Sequence, residues 1–229
     1  MNKQTFLTLL ATFALLFSFT FSCHAKGKDK AKHVVFIGLD GWGAYSLPKA
    51  DMPNVKKLME DGAYTLKKRS ALPSSSAINW ASMFMGAGPE LHGYTEWGSK
   101  TPELPSRVLN KNGIFPTVFQ LLRDARPEAE IGCLYEWEGI KYLVDTLSLS
   151  YHYHVADCNK TPKELGNMAS SYIKEKHPAL VAICYDGPDH TGHTAGHDTP
   201  EYYEKLKELD VYVGQICLLY TSPSPRDRG

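Results

Sequence analysis

The sequence has no excess of either charge: 25 Lys and Arg stand against 25 Asp and Glu in 229 residues. That balance leaves no electrostatic footprint for nucleic acid or an anionic membrane, and the densest basic run, Lys26 to Lys32, is short and broken by Asp29. Cysteine is scarce, with five residues and no CxxC spacing, so neither a disulfide scaffold nor a thiolate metal site is encoded. No internal repeat is evident, which excludes solenoids and propellers. What is present, 43% hydrophobic and 11% aromatic residues, describes a folded globular protein.

The one long apolar run lies at the front. Lys3 followed by Phe6 to Phe21 has the charged and apolar regions of a signal peptide, so residues 1–25 are expected to be removed after Ala25. The run is 16 residues, short of the roughly 20 a membrane span needs. A lipid on Cys23, behind the poor lipobox Thr20-Phe21-Ser22, is the alternative and the only membrane attachment foreseen. The protein is thus expected to be exported, periplasmic or secreted, with Cys133 and Cys158 available to pair and Cys184 a buried free thiol.

Strands and helices alternate behind that segment. His33 to Leu39 and Ala179 to Tyr185 are apolar runs that read as buried parallel strands, as does Ile131 to Tyr135, and a further strand is predicted from Tyr64 to Ala71. Helices are predicted for Met52 to Gly62, with Pro53 at its start, and for Ala77 to Phe84, opened by Pro73-Ser74-Ser75-Ser76. Thr117 to Ala125, Thr161 to Lys176 with a capping box at Thr161 and Glu164, and Pro200 to Ile216 complete the set. This order predicts an α/β fold, a doubly wound and mostly parallel sheet with helices on both faces, with ligands past the carboxyl ends of the strands.

Two such strand ends carry metal-ligand residue types: Asp40 after the first, and Asp186-Gly187-Pro188-Asp189-His190-Thr191-Gly192-His193 after the strand ending at Tyr185. Asp and His together suit zinc or a similar divalent ion, and a bound cation lowers the pKa of a hydroxyl it touches. Ser76 at a helix start adds backbone N–H groups for an anion, with Ser75 the alternative register. Asp186, His190 and His197 read as supporting or exposed loop residues. His152 and His154, alternating with Tyr151 and Tyr153, read as an exposed strand face, and Trp97, Trp137 and Tyr135 as either core or a leaving-group pocket.

These motifs resemble the alkaline phosphatase superfamily, and within it the type I nucleotide pyrophosphatase/phosphodiesterase family. The matched blocks are Ile37-Gly38-Leu39-Asp40-Gly41, Pro53-Asn54, Pro73 to Asn79, Gly86 with Pro89-Glu90 and His92-Gly93, and Pro188-Asp189 through Gly192-His193 to Gly196. The resemblance implies two divalent metal ions, zinc by ligand type, with Asp40 and Ser76 on one and Asp189 and His193 on the other. It implies Ser76 as nucleophile, Asn79 as a donor to a phosphate oxygen, and a small-molecule phosphate ester as substrate. The expected activity is hydrolysis of phosphodiester or pyrophosphate bonds, with phosphomonoester or phosphonate hydrolysis, or a non-catalytic surface lipoprotein, as alternatives. Ala77 stands where nucleotide-cleaving members carry an aromatic residue. The family's remaining ligands, an Asp-His pair and a later His, are not found by Ile216, so residues 26–216 read as the front portion of the domain and the chain as written is expected to be inactive. Residues 217–229 read as a foreign tail, resembling a translated adaptor.

Overall fold

The computed structural model describes residues 31–156 and 162–221. The signal region, Cys23, Cys158, the capping residue Thr161 and residues 222–229 lie outside the described residues. His33 onward belongs to one compact unit.

Four strands, β1 (Val34–Leu39), β2 (Ile131–Tyr135), β3 (Tyr151–His154) and β4 (Leu180–Tyr185), form a sheet in the order β1-β4-β2-β3. Every neighbouring pair is parallel. The strands are apolar because helices cover both faces, and successive side chains of β2 and β4 feed different cores. On one face Cys133, Tyr135, Ala182 and Cys184 pack against Trp80, Ala81 and Phe84 of α2 (Ser76–Met85) and Phe119 of α4 (Val118–Ala125). On the other, Leu134, Val181, Ile183 and Tyr185 meet Leu165 and Ala169 of α5 (Pro162–Lys176) and Leu209 and Ile216 of α7 (Pro200–Thr221). The doubly wound α/β architecture is as expected.

The remaining helices are α1 (Pro53–Asp61), the four-residue α3 (Pro89–His92) and α6 (Gly187–Ala195). Asp210 of α7 caps α1: its carboxylate accepts from Asn54 N at 2.9 Å, Asn54 Nδ2 at 2.9 Å and Val55 N at 2.8 Å. The Pro53-Asn54 motif is therefore a helix-docking device. His92 has a comparable role, bridging Ser82 of α2 through Nε2 at 3.1 Å and the backbone N of Tyr94 through Nδ1 at 3.1 Å.

Three expectations need correction. Residues 64–71 form no strand: the segment is exposed on almost every side chain, and its Lys67-Lys68-Arg69 core offers no apolar face to bury. The stretch Gly187–Ala195, read as a loop, is helical, because Pro188 sits in its first turn and Glu136 accepts hydrogen bonds from its N-terminal backbone. Helix α7 continues beyond Ile216 to Thr221, with Leu219 packed against the second core, since its apolar spacing persists past the predicted stop. Cys133 is a free thiol buried in β2, and its possible partner Cys158 lies outside the described residues; Cys184 is free and buried, as expected.

Candidate active site

Asp40 follows the last residue of β1, and its backbone N continues the ladder by donating to Tyr185 O at 2.8 Å. Because Leu39 pairs with Tyr185 in register, the next residue of each strand, Asp40 and Asp186, emerges side by side at the carboxyl edge of the sheet. Asp40 Oδ1 accepts from Gly41 N at 2.9 Å and Oδ2 from Trp80 Nε1 at 3.0 Å. Ser76 stands near enough to this carboxylate to favour its ionised form. Burial pushes the Asp40 pKa upward, against those hydrogen bonds, and the neighbouring Asp189 charge pushes the same way.

Gly41 explains how Asp189 comes so near. Its φ is +66°, and a Cβ there would lie 2.6 Å from the Asp189 Cα, so only glycine lets α6 settle onto the loop after β1. Tyr202 of α7 holds the same loop: its hydroxyl donates to Gly41 O at 2.7 Å and accepts from Gly43 N at 3.2 Å. Asp189 and His193, four residues apart on one face of α6, make a contact of 3.3 Å between Oδ2 and Nε2. His193 is largely exposed, Asp189 mostly covered.

Ser76 is the first residue of α2, after Ser75 in extended conformation (φ −146°, ψ 164°). Of the serine run, Ser76 stands beside Asp40, Ser74 bonds Ser70 at 2.9 Å, and the Ser75 hydroxyl is buried without a partner. Asn79 lines the same cleft, but its amide is engaged: Oδ1 accepts from Ala71 N at 2.7 Å, and Nδ2 donates to Ser75 O at 3.0 Å and Ala71 O at 3.3 Å. The cleft encloses about 510 Å³ between the loop after β1, the start of α2, Lys68 and Asp189.

Asp186 is the residue that sequence reasoning set aside. Burial, then the Asp40 and Asp189 charges, push its pKa up to about 7. The available signal was its place one residue past a buried strand, the same as that of Asp40. His152 and His154 lie on the edge strand β3, where His152 is exposed and His154 stacks on Tyr135 at 5.5 Å. His197 packs against Tyr202 at 5.2 Å. Trp97 and Trp137 pair at 6.2 Å, Trp137 bordering Asp40 and Asp186, whereas Tyr135 is core.

Oxygen and imidazole donors of this kind suit a divalent cation, and the crowding of Asp40, Asp186 and Asp189 is a concentration of negative charge that such an ion would relieve. Among the described residues no three His, Cys, Asp or Glu side chains are close enough together to hold a metal ion. The donors fall into two pairs, Asp40 with Ser76 and Asp189 with His193, whose chemistry suits such an ion but which make no full ligand shell.

Comparison with known proteins agrees with the fold. The chain is similar in structure to murine ectonucleotide pyrophosphatase/phosphodiesterase 5, solved as an inactive variant with AMP, with a TM-score of 0.62 at 18% identity over 82% of this chain and 52% of that one. It is also similar to phosphonoacetate hydrolase from Sinorhizobium meliloti, in complex with phosphonoformate, with a TM-score of 0.57 at 19% identity over 82% of this chain and 54% of the other. The chain spans about half the length of these solved structures, and at such identities they show the fold. A 76-residue stretch is 30% identical to GPI ethanolamine phosphate transferase 3 of Schizosaccharomyces pombe, covering 33% of this chain and 8% of that protein. The family model for type I phosphodiesterase / nucleotide pyrophosphatase matches residues 34–219. The chain therefore belongs to the type I phosphodiesterase/nucleotide pyrophosphatase family of the alkaline phosphatase superfamily.

Proposed function

We propose that this protein hydrolyses phosphodiester or pyrophosphate bonds of a small-molecule phosphate ester, with Ser76 as the nucleophile. The observation that carries the reading is the Ser76 hydroxyl, at the N-terminus of a ten-residue helix, beside the half-buried Asp40 carboxylate and lining the same cleft as Asp189. Asp40 and Ser76 would hold one divalent ion and Asp189 and His193 a second, zinc being the ion that this ligand chemistry favours. Bound cations would supply positive charge to the attacking oxygen, the phosphate and the leaving oxygen.

The chain's own groups do the rest. Asp40 orients the Ser76 hydroxyl and favours loss of its proton, and the free backbone N–H groups of the first turn of α2 attract the phosphate. Ser76 Oγ gives its proton to solvent and attacks phosphorus, the bond to the leaving oxygen breaks as that oxygen takes up a proton, and the retained phosphoryl group stays esterified to Ser76 for water to hydrolyse. Asn79 would turn one amide hydrogen toward a phosphate oxygen by releasing Ala71 O, the longer of its two donations. Ala77 is fully buried beneath the cleft and offers no stacking surface for a base, which favours the second reading, phosphomonoester or phosphonate hydrolysis. Further ligands, an Asp-His pair and a later His, are part of this proposal, as is export through residues 1–25.

The test uses the product of the complete gene with zinc, assayed on bis-p-nitrophenyl phosphate and p-nitrophenyl phosphate. Diester turnover is expected to exceed monoester turnover and to fall by about a thousandfold or more in Ser76→Ala, in line with the loss of a covalent nucleophile. Mass spectrometry of acid-quenched turnover should find a p-nitrophenyl phosphoryl group on Ser76 with the diester and phosphate there with the monoester. A strong monoester preference would shift the substrate to the second reading, and undiminished turnover in Ser76→Ala would remove the nucleophile.

A further inference from the structure

We infer that Glu136 is a positioning residue for this site: its carboxylate clamps the first turn of α6 and thereby fixes where Asp189 and His193 stand opposite Asp40. The inference rests on the reading of Asp189 and His193 as metal ligands. Three adjacent strands, in the order β1-β4-β2, each deliver an acidic residue immediately past the carboxyl end: Asp40, Asp186 and Glu136. Asp40 lines the cleft, and Asp186 lies beside Asp40 next to Trp137. Glu136 does something else.

Glu136 is 4% exposed and its backbone is locked into the sheet edge, N donating to Cys184 O at 3.1 Å and O accepting from His154 Nε2 at 2.9 Å. Its side chain crosses to the next strand, where Oε2 accepts from Asp186 N at 2.6 Å and from Gly187 N at 3.2 Å. Helix α6 has no cap of its own, since the side chain of its N-cap residue, Asp186, makes no capping bond and Pro188 has no N–H. Glu136 therefore takes the N–H groups that a capping side chain would take, from a residue 50 positions away in sequence. A carboxylate here also meets the positive end of the α6 dipole, which offsets part of the cost of burying a further negative charge beside Asp40, Asp186 and Asp189. Two residues into the helix from this clamp is Asp189, whose backbone rests on Gly41. Movement of the first turn would move Asp189 relative to Asp40 directly, and His193 one turn later. Partners that orient ligands in this way change metal affinity about 10- to 100-fold when removed.

Glu136→Ala deletes the clamp, whereas Glu136→Gln keeps an acceptor oxygen in place and removes only the charge. Amide hydrogen exchange of residues 186–192 in the metal-free chain is expected to quicken about tenfold or more in the alanine variant. Zinc affinity, by calorimetric titration with Zn²⁺ alone, is expected to fall about 10- to 100-fold. The glutamine variant should recover most of both effects, with its urea midpoint close to that of the unsubstituted chain. If the alanine variant does not fold, as judged by near-ultraviolet circular dichroism, the glutamine variant decides: exchange and zinc affinity near those of the unsubstituted chain support the clamp. Unchanged exchange and zinc affinity in Glu136→Ala would overturn the inference, and so would a glutamine variant as impaired as the alanine one. Absence of zinc uptake by the unsubstituted chain would strike the ligand reading instead, leaving the exchange data to decide whether Glu136 anchors α6.

Discussion

Replacing Tyr202 by phenylalanine removes one oxygen atom and tests how the loop carrying Asp40 is held. That hydroxyl donates to Gly41 O at 2.7 Å and accepts from Gly43 N at 3.2 Å, spanning the two residues that follow the strand-end turn. The ring itself is fully buried and packs against His197 at 5.2 Å, Tyr203 at 5.9 Å and Tyr45 at 6.4 Å, contacts that phenylalanine preserves. Burial pushes the phenol pKa up to about 12, so the group is a neutral donor throughout the working pH range. Each lost bond costs about 1 kcal/mol net, and leaving Gly41 O and Gly43 N without a partner adds to it. Both glycines are only half-buried, so water recovers part of the loss, and about 1.5–2.5 kcal/mol is expected. With a urea m-value of about 2 kcal/mol per molar, the midpoint should fall by about 1 M at unchanged m. Tyr203→Phe is the control: its hydroxyl bonds the exposed Asp198 at the surface, and it should cost less than about 0.5 kcal/mol. A Tyr202→Phe midpoint within about 0.2 M of the parent would refute the pinning argument.

Two further outcomes follow from the buried polar clamps. Asp210→Ala should destabilise by about 2–3 kcal/mol in urea unfolding, because it uncaps α1 and removes the buried acceptor of the half-buried Asn54 amide and the Asn54 and Val55 N–H groups. Stability should also fall on acidification through His92. Its Nδ1 accepts from Tyr94 N, so Nε2 carries the hydrogen toward Ser82, and burial lowers its pKa from 6.5 against the nearby Glu90 charge. The unfolded chain protonates first as pH drops below 6.5, so stability contributed by the neutral ring is complete above that value and is lost as pH falls toward the lower folded pKa. His92→Gln should flatten this slope between pH 7 and 5, measured as the difference in urea midpoints; an unchanged slope would exclude His92 as its source.

Much of this molecule was legible without coordinates, because strands, helices and their caps depend on residues close in sequence. The apolar run before Asp40, Pro53 opening α1, Gly86 ending α2 in the left-handed region and the apolar spacing of α7 are local signals, and each element formed. The reading failed where local signals were weak or borrowed. Residues 64–71 have strand-forming residue types but no apolar face, and α6 lacks a cap of its own, so its helix depends on Glu136 from another strand. The site shows the same division. Asp40, Ser76, Asp189 and His193 stood out by position and spacing, whereas the part played by Asp186 depends on β1 and β4 being neighbours with Leu39 opposite Tyr185. Asn79 illustrates it again: its place one turn into α2 could be read from the chain, but its engagement with Ala71 required the path of the preceding segment. The sequence by itself determined which elements form, the parallel α/β class and the residue types at the strand ends. Only the tertiary structure decided strand order and register, and hence which carboxylates crowd together and which buried groups hold them, because those contacts join residues up to 161 positions apart whose proximity no local pattern encodes.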